Sequence, residues 1–185
     1  VSGAGASVSG STVTITAGGA YRLSGTLADG RVVVDARDKR TVTLVLAGVD
    51  ITCATSAPIH VENAEQVIIV LADGTENHLA DGETYVYDDP SADEPNATLF
   101  SKDDLTISGG GTLTIDARYN DALTSKDDLT ITGGTIVVDS VGDGIRGRDA
   151  LRISGGAITV NAAGDGLESN NDEDAERGII VIEGG

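Results

Sequence analysis

The sequence lacks most of the residues that build aromatic or disulfide-bonded cores. It contains no Met or Trp, a single Phe, and aromatic side chains make up 3% of its 185 residues. Its one cysteine, Cys53, excludes an internal disulfide, and no His or Cys stands at metal-ligand spacing from it. The apolar residues are instead Val, Ile, Leu and Ala, which favour narrow stacked strands over a helical bundle.

Positive charge and long apolar runs are also scarce. Twelve Lys and Arg stand against 30 Asp and Glu, so the formal net charge is -18. Nucleic acid and anionic membranes are therefore excluded as partners, because binding phosphate groups requires an excess of Lys and Arg. No stretch approaches the roughly 18 apolar residues that cross a bilayer, so we expect no membrane insertion.

The chain nevertheless has enough apolar residues to fold. Hydrophobic residues account for 39% of it, and its mean hydropathy is +0.00. A disordered acidic chain would lack the apolar surface needed to offset its conformational entropy. The length predicts one domain that spans residues 1–185.

A repeat of 22 to 25 residues runs through most of the chain. The run Ser-Lys-Asp-Asp-Leu-Thr-Ile begins at Ser101 and returns at Ser125. Weaker copies occupy Gly147–Gly156 and Ile180–Gly185, and an earlier pair occupies Val42–Ala47 and Val67–Ala72. Self-similarity at a fixed short period is typical of proteins built from stacked structural units.

Each repeat divides into three short alternating runs. In one copy these are Ala122–Ser125, Asp128–Thr132 and Thr135–Ser140. The alternation places five side chains on one face, namely Leu123, Leu129, Ile131, Ile136 and Val138. Such runs suit parallel pairing with their counterparts one repeat away, at about 4.8 Å. The sequence therefore predicts an all-β fold, a right-handed parallel β-helix with three short strands per rung.

Several segments depart from the regular period. We expect residues 1–27 to form an opening rung or cap, and residues 75–97 and 168–177 to be insertions. The sequence stops at Gly185, one strand into a rung. Because an open strand edge invites pairing, we expect the native protein to continue beyond it or another chain to cover this end.

Two columns of carboxylates are predicted at two corners of the repeat. The first column consists of Asp121, Asp143 and Asp165, and the second of Asp103, Asp104, Asp127, Asp128 and Asp149. Like charges about 5 Å apart repel by roughly 3 kcal/mol at an effective dielectric near 20. Carboxylates and turn carbonyls are the ligands that Ca²⁺ prefers, so we predict Ca²⁺ at these columns. The alternative is that Asp occurs here because it stabilises turns through backbone hydrogen bonds.

Basic residues lie between and beside the two columns. Arg146 projects from a predicted strand, with Lys126 and Arg148 at the adjoining corner. A calcium ion beside a guanidinium or ammonium group can hold a sugar carboxylate, so these three residues are candidate carbohydrate ligands. It is equally open that they only neutralise their acidic neighbours.

Three tyrosines complete the set of candidate carbohydrate-binding residues. Tyr85 and Tyr87 lie in the first insertion, and Tyr119 lies in the turn that precedes a predicted strand. Long loops on rigid scaffolds often carry binding residues, so these rings could stack on a sugar. The alternative is that the tyrosines simply pack against the strands.

Several motifs resemble those of the bacterial and archaeal carbohydrate-binding domain-containing proteins. They are Gly25–Asp35, Leu44–Thr52, Leu71–Asn77, the Ser-Lys-Asp-Asp-Leu-Thr-Ile units and Gly142–Gly147. The resemblance implies a secreted right-handed parallel β-helix that binds cellulose and acidic sugars such as polygalacturonate. It also implies calcium binding and an architecture similar to calcium-dependent pectate lyases. The chain departs from the repeat at Ala150, where the paired Asp is lost, and from the expected pattern at His78.

The leading functional prediction is a non-catalytic polysaccharide-binding protein that is secreted or held at the cell surface and binds Ca²⁺. The enzyme alternative is a calcium-dependent uronate lyase, which needs a Lys or Arg as base. Lys126, Arg146 and Arg148 are the candidate bases, but Lys126 lies beside paired Asp residues that hold its proton. A third class is an adhesin or filament subunit that self-associates end to end.

Overall fold

The computed structural model describes residues 5–185, which form nineteen strands. No helix among these residues is long and apolar enough to cross a membrane. The first ten strands are β1 (Ala6–Ser9), β2 (Thr12–Ile15), β3 (Gly19–Leu27), β4 (Arg31–Asp35), β5 (Val42–Cys53), β6 (Ile59–Asn63), β7 (Gln66–Leu71), β8 (Glu76–Asp81), β9 (Ala97–Ser101) and β10 (Asp104–Gly109). The remaining strands are β11 (Thr112–Ala117), β12 (Asp121–Ser125), β13 (Asp128–Ile131), β14 (Thr135–Ser140), β15 (Ile145–Gly147), β16 (Ala150–Ile153), β17 (Ala157–Ala162), β18 (Leu167–Glu168) and β19 (Ile179–Ile182).

The larger sheet contains eleven parallel strands. Its order is β17-β14-β11-β8-β5-β7-β10-β13-β16-β19, and β3 also pairs with β5. Strands one repeat apart lie side by side in register, as predicted, so that Leu105 pairs with Leu129 and Leu129 with Leu151. The Gly-Gly turns separate successive strands. Gly109 has a φ of 98°, and a Cβ there would clash with the carbonyl oxygen of Leu71, so this turn requires glycine.

The smaller sheet is mixed. Its eight strands follow the order β1-β2-β4-β6-β9-β12-β15-β18. Strands β1 and β2 form an antiparallel pair, whereas the later neighbours are parallel. Residues 1–4 of the predicted opening segment lie outside the described residues, and the rest of that segment contains β1, β2 and β3.

The prediction of a right-handed parallel β-helix with three strands per rung was wrong. The strands form two sheets, one curled and parallel and the other mixed, instead of three separate faces. The reason lies in β5, which is twelve residues long. Its first half pairs with β7 and its second half with β8, so two runs that the period predicts as separate faces belong to one sheet.

The bend within β5 depends on a residue from later in the chain. Gly48 has a φ of 78°, which glycine adopts without strain. The buried side chain of Asn77 accepts hydrogen bonds from the backbone N–H groups of Gly48 and Val49 at 2.9 and 3.1 Å. Its amide also donates to the carbonyl oxygen of Thr112 at 2.9 Å. Asn77 therefore satisfies backbone groups that regular strand pairing leaves free at the bend.

One apolar core lies between the two sheets. The inward-facing residues that alternation predicts are fully buried or nearly so, including Leu123, Leu129, Ile131, Ile136 and Val138. Burying a side chain of this size contributes roughly 1.5–3 kcal/mol. The core is less covered beside β19, where Ile179, Ile180 and Ile182 remain exposed.

The first insertion is shorter than predicted from the period, because the first part of residues 75–97 forms β8, which leaves residues 82–96 irregular. The second irregular segment, residues 169–178, has the predicted length and follows the short strand β18. Segment 82–96 lies over the outer face of the mixed sheet, where Tyr85 packs against the cluster of Phe100. Segment 169–178 lies beside β16, where Asn171 and Arg177 contact Asp149.

Candidate functional site

Parallel register aligns side chains of the mixed sheet into one row on its outer face. The row consists of His60, Phe100, Thr124, Arg146 and Glu168. Part of the row lies under segment 82–96, because Phe100 is fully buried and Tyr85 packs against its cluster. Arg146 lies beyond that cover, although only 16% of its side chain is exposed. The row therefore has a covered half and an open half.

The first predicted carboxylate column is present beside the open half. The carboxylate of Asp121 accepts a hydrogen bond from the backbone N–H of Asp143 at 3.0 Å. The carboxylate of Asp143 accepts one from the backbone N–H of Asp165 at 2.8 Å. Asp121 and Asp143 therefore each link their own repeat to the next, which is the turn-stabilising role that the sequence left open.

Arg146 supplies positive charge to this column. Its guanidinium lies 2.8 Å from Asp121, 3.8 Å from Asp143 and 3.6 Å from Glu168. Burial raises the pKa of Asp121, and Arg146 opposes that rise. Burial and the neighbouring Asp143 raise the pKa of Glu168. The predicted carbohydrate ligand Arg146 is thus engaged by three carboxylates, and its single positive charge offsets part of the repulsion expected in this column.

The second predicted column lines an acidic pocket of about 510 Å³. Six carboxylates and two guanidinium groups surround it, from Asp104, Asp127, Asp128, Asp149, Asp174, Glu176, Arg152 and Arg177. Asp103 lies outside this lining, and its carboxylate accepts a hydrogen bond from the backbone N–H of Ala64 at 2.8 Å. The structure therefore brings four of the five predicted residues together and adds two acids from the second irregular segment.

Charge in this pocket is only partly balanced. Asp149 is bound by the amide of Asn171 at 2.6 Å and by the guanidinium of Arg177. Within the part of the chain that the structure describes, no ion pair joins a Lys or Arg to Asp127 or Asp128, although Arg152 and Arg177 line the same pocket. Burial raises the pKa of both residues. Asp149 raises the pKa of Asp127 further, and Asp104 raises that of Asp128. The charges of Asp127 and Asp128 are therefore not balanced by a close cation.

The acidic pocket has suitable donor atoms for Ca²⁺ but no preformed coordination site. Among residues 5–185, no three Asp, Glu, His or Cys side chains are grouped so as to hold a metal ion. Carboxylate oxygens are nevertheless the ligands that Ca²⁺ takes. The oxygens of Asp127 and Asp128 are less engaged than those of the first column, where backbone N–H groups and Arg146 already bind. The donor chemistry therefore suits a hard cation better at the acidic pocket.

The other two predicted basic residues are paired with acids from the irregular segments. Lys126 lies 2.6 Å from Glu94, and Lys102 lies 3.7 Å from the same carboxylate. Burial would raise the pKa of Glu94, but the two ammonium groups outweigh that effect and lower it. Arg148 lies 3.0 Å from Glu173. The sequence did not single out Glu94, because only the folding of segment 82–96 brings it to Lys126.

The three predicted tyrosines form one cluster. The rings of Tyr85 and Tyr119 stack with centroids 4.1 Å apart and planes at 11°, and Tyr87 lies 6.4 Å from Tyr85. The Tyr85 hydroxyl donates to Asp81 at 2.7 Å, and burial raises the pKa of Tyr85. One face of the Tyr85 ring is therefore covered by Tyr119 and is not available to a sugar. Tyr87 and Tyr119 are half-buried and lie at the edge of the cluster.

Comparison with known proteins adds a family to this geometry. The family model for carbohydrate-binding domain-containing proteins matches residues 9–185. The chain belongs to that family. A carbohydrate-binding domain-containing protein of Acetivibrio thermocellus is 47% identical to it over 119 residues. That alignment covers 64% of this chain and 42% of the relative, so the chain matches less than half the length of that protein.

A solved structure has the same fold as this carbohydrate-binding domain. It is described as the polysaccharide lyase-like protein from C. thermocellum, in its gadolinium derivative. The two superpose with a TM-score of 0.96 at 43% identity, covering 100% of this chain and 75% of the other. The likeness therefore extends over both sheets and both irregular segments.

Proposed function

We propose that this domain binds polysaccharide without cleaving it. The main support for a non-catalytic role is that the basic residues form ion pairs. Each candidate base is paired with acids: Lys126 with Glu94, Arg148 with Glu173, and Arg146 with three carboxylates. A base that removes a proton from a sugar must be free to reach it. These ion pairs engage each candidate base with a carboxylate instead of leaving it free to approach a sugar.

We also propose that Ca²⁺ binds at the acidic pocket. The residues that would hold it are Asp104, Asp127, Asp128 and Asp149. A bound calcium ion supplies positive charge and accepts further oxygen ligands, including a uronate carboxylate. Support comes from the raised pKa values of Asp127 and Asp128.

Net charge predicts how binding of an acidic polysaccharide depends on calcium. The chain carries a formal charge of -18, so a polyanion such as polygalacturonate is repelled at long range. A divalent cation at the acidic pocket reduces its net negative charge and offers a uronate carboxylate a direct coordination partner. Binding of acidic polysaccharide should therefore require calcium, whereas binding of a neutral glycan such as cellulose need not. Because such glycans occur outside the cell, the proposal includes a secreted or cell-surface location for the protein.

A uronate lyase is the second candidate, and the description of the C. thermocellum protein as polysaccharide lyase-like favours it. One experiment separates the two functions. The protein is incubated with polygalacturonate in calcium and then in EDTA, while the absorbance of unsaturated product and retention on insoluble polysaccharide are recorded. We expect calcium-dependent retention without product. Product formation would identify a lyase, and the absence of both signals would reject both functions.

A further inference from the structure

A second polar pocket lies between segment 82–96 and the outer face of the mixed sheet. Its volume is about 220 Å³, and its lining includes Arg31, His60, Glu62, Tyr87 and Glu94. We call it the His60 pocket. It is smaller than the roughly 300–1,000 Å³ of most small-molecule sites, which suits a single ring better than an extended oligosaccharide. It is separate from the acidic pocket, with which it shares no lining residue.

His60 is an incompletely satisfied polar group in this pocket. Only 7% of its side chain is exposed, and its ring lies edge-on to Phe100 with centroids 5.6 Å apart. Its Nε2 is buried and has no hydrogen-bond partner among the described residues, and its Nδ1 is 3.7 Å from Glu62. A buried polar atom without a partner costs about 1–3 kcal/mol. The folded protein therefore keeps an unpaired nitrogen in the lining of a cavity.

The imidazole is neutral near pH 7. Burial, together with the positive charges of Lys102 and Arg31, lowers the pKa of His60 to about 4. A neutral imidazole has one donor and one acceptor nitrogen. It can therefore pair with a hydroxyl group, which both donates and accepts, in either tautomer.

The charged residues of the pocket indicate which hydroxyl-bearing molecule it accepts. Glu94 is already paired with Lys126 and Lys102, but Glu62, Asp88 and Asp89 still outnumber the guanidinium of Arg31, which donates to the hydroxyl of Ser56 at 3.1 Å. Carboxylates accept hydrogen bonds from hydroxyl groups but repel another carboxylate. Tyr87 adds an aromatic side chain to the same lining. This chemistry favours a neutral sugar and disfavours a uronate.

We propose that the His60 pocket binds one ring of a neutral polysaccharide, with a sugar hydroxyl paired to His60 and others to the surrounding carboxylates. The proposal rests on the polysaccharide-binding function proposed above, but it concerns a different pocket and a different class of sugar. Because Nε2 is buried, segment 82–96 must yield locally for the hydroxyl to reach it. Val86 lines the pocket and is 70% exposed, so it is the accessible point at which entry can be blocked.

Imidazole NMR tests the contact directly. The chain has two histidines, so His78 serves as an internal reference once His78→Gln has assigned the signals. Cellohexaose and trigalacturonate are titrated separately. We expect cellohexaose to shift the His60 signals and to leave those of His78 unchanged, and trigalacturonate to shift neither. Binding of cellohexaose with unchanged His60 signals would overturn the proposal, as would a larger response to trigalacturonate.

A matched pair of surface variants supplies the second readout. Val86→Arg should weaken cellohexaose affinity by about fivefold or more through loss of pocket contacts. Val8→Arg, at a residue that is 68% exposed on β1, should leave it within twofold. Equal affinities for the two variants would refute the pocket. Calcium-dependent retention on polygalacturonate separates failure of this proposal from failure of the proposed function. If retention persists but cellohexaose does not shift the His60 signals, only the His60 pocket proposal is wrong. If neither retention nor a His60 shift is seen, the proposed polysaccharide-binding function is wrong as well.

Discussion

Replacing Arg146 by glutamine tests whether this residue, and not a metal, compensates the first carboxylate column. The guanidinium lies 2.8 Å from Asp121, and the two side chains are only 16% and 3% exposed. Removing one partner of a buried ion pair typically costs 3–5 kcal/mol. We expect the lower end, about 3 kcal/mol, because Asp121 keeps its hydrogen bond from Asp143. For a domain of this size, that corresponds to a fall in Tm of about 6–12 °C.

The cost of Arg146→Gln should depend on pH in a defined direction. Burial already raises the pKa of Asp121 above its ordinary value of 3.8, and losing Arg146 raises it further. A raised folded-state pKa gives stability that is complete below the unfolded pKa and is lost as pH rises through the folded pKa. The variant should therefore lose less stability relative to wild type at pH 4 than at pH 7.

Urea unfolding of Arg146→Gln and Asp121→Asn in EDTA measures both effects. Asp121→Asn should cost only about 1 kcal/mol, because an asparagine oxygen can still accept the Asp143 N–H. Arg146 also keeps Asp143 and Glu168 within 3.8 Å. Equal costs for the two variants, or an Arg146→Gln cost that is the same at pH 4 and pH 7, would refute the reasoning. A cost that disappears when calcium is added would assign the compensating role to a metal.

Two further predictions concern other parts of the fold. Both ring nitrogens of His78 lie 3.0 Å from carboxylates, of Asp50 and Asp116, which outweigh burial and raise its pKa. His78→Gln should therefore lower the free energy of unfolding in urea more at pH 5.5 than at pH 8.5. The two losses should differ by under about 1 kcal/mol, because the site is partly exposed. Equal losses at the two pH values would contradict this prediction. Phe100→Ala should cost about 3–5 kcal/mol and speed hydrogen exchange in segment 82–96, whereas the exposed Val137→Ala should do neither.

The repeat was sufficient to predict strand pairing but not sheet number. Leu105, Leu129 and Leu151 occupy equivalent positions of the repeat and pair in register. Alternation reports which side chains face inward, but it does not report whether consecutive runs form one continuous strand. In β5 that depends on the bend at Gly48, which is stabilised by Asn77 from 29 residues further along the chain. The closure into two sheets was therefore not visible in the sequence.

The candidate site was predictable where it follows the repeat. The alignment of Asp121, Asp143 and Asp165 follows from their spacing of 22 residues. The partners of Lys126 and the cover over His60 could not be predicted, because both depend on the path of segment 82–96. That segment has no counterpart in the other repeats, so the period contains no information about its contacts. The parts of the site that the sequence did not predict are therefore those supplied by irregular segments.

Calcium at the acidic pocket is proposed to enable binding of acidic polysaccharide. The most direct test of this proposal is the affinity of the protein for oligogalacturonate in calcium, measured by calorimetry for wild type and for Asp127→Asn/Asp128→Asn. A control variant, Asp139→Asn/Glu76→Gln, removes the same charge elsewhere on the parallel sheet. We predict that the first variant stays folded and loses at least about tenfold in affinity, or 1.4 kcal/mol, while the control does not. Equal affinity of wild type and both variants, or wild-type binding that persists in EDTA, would contradict the account.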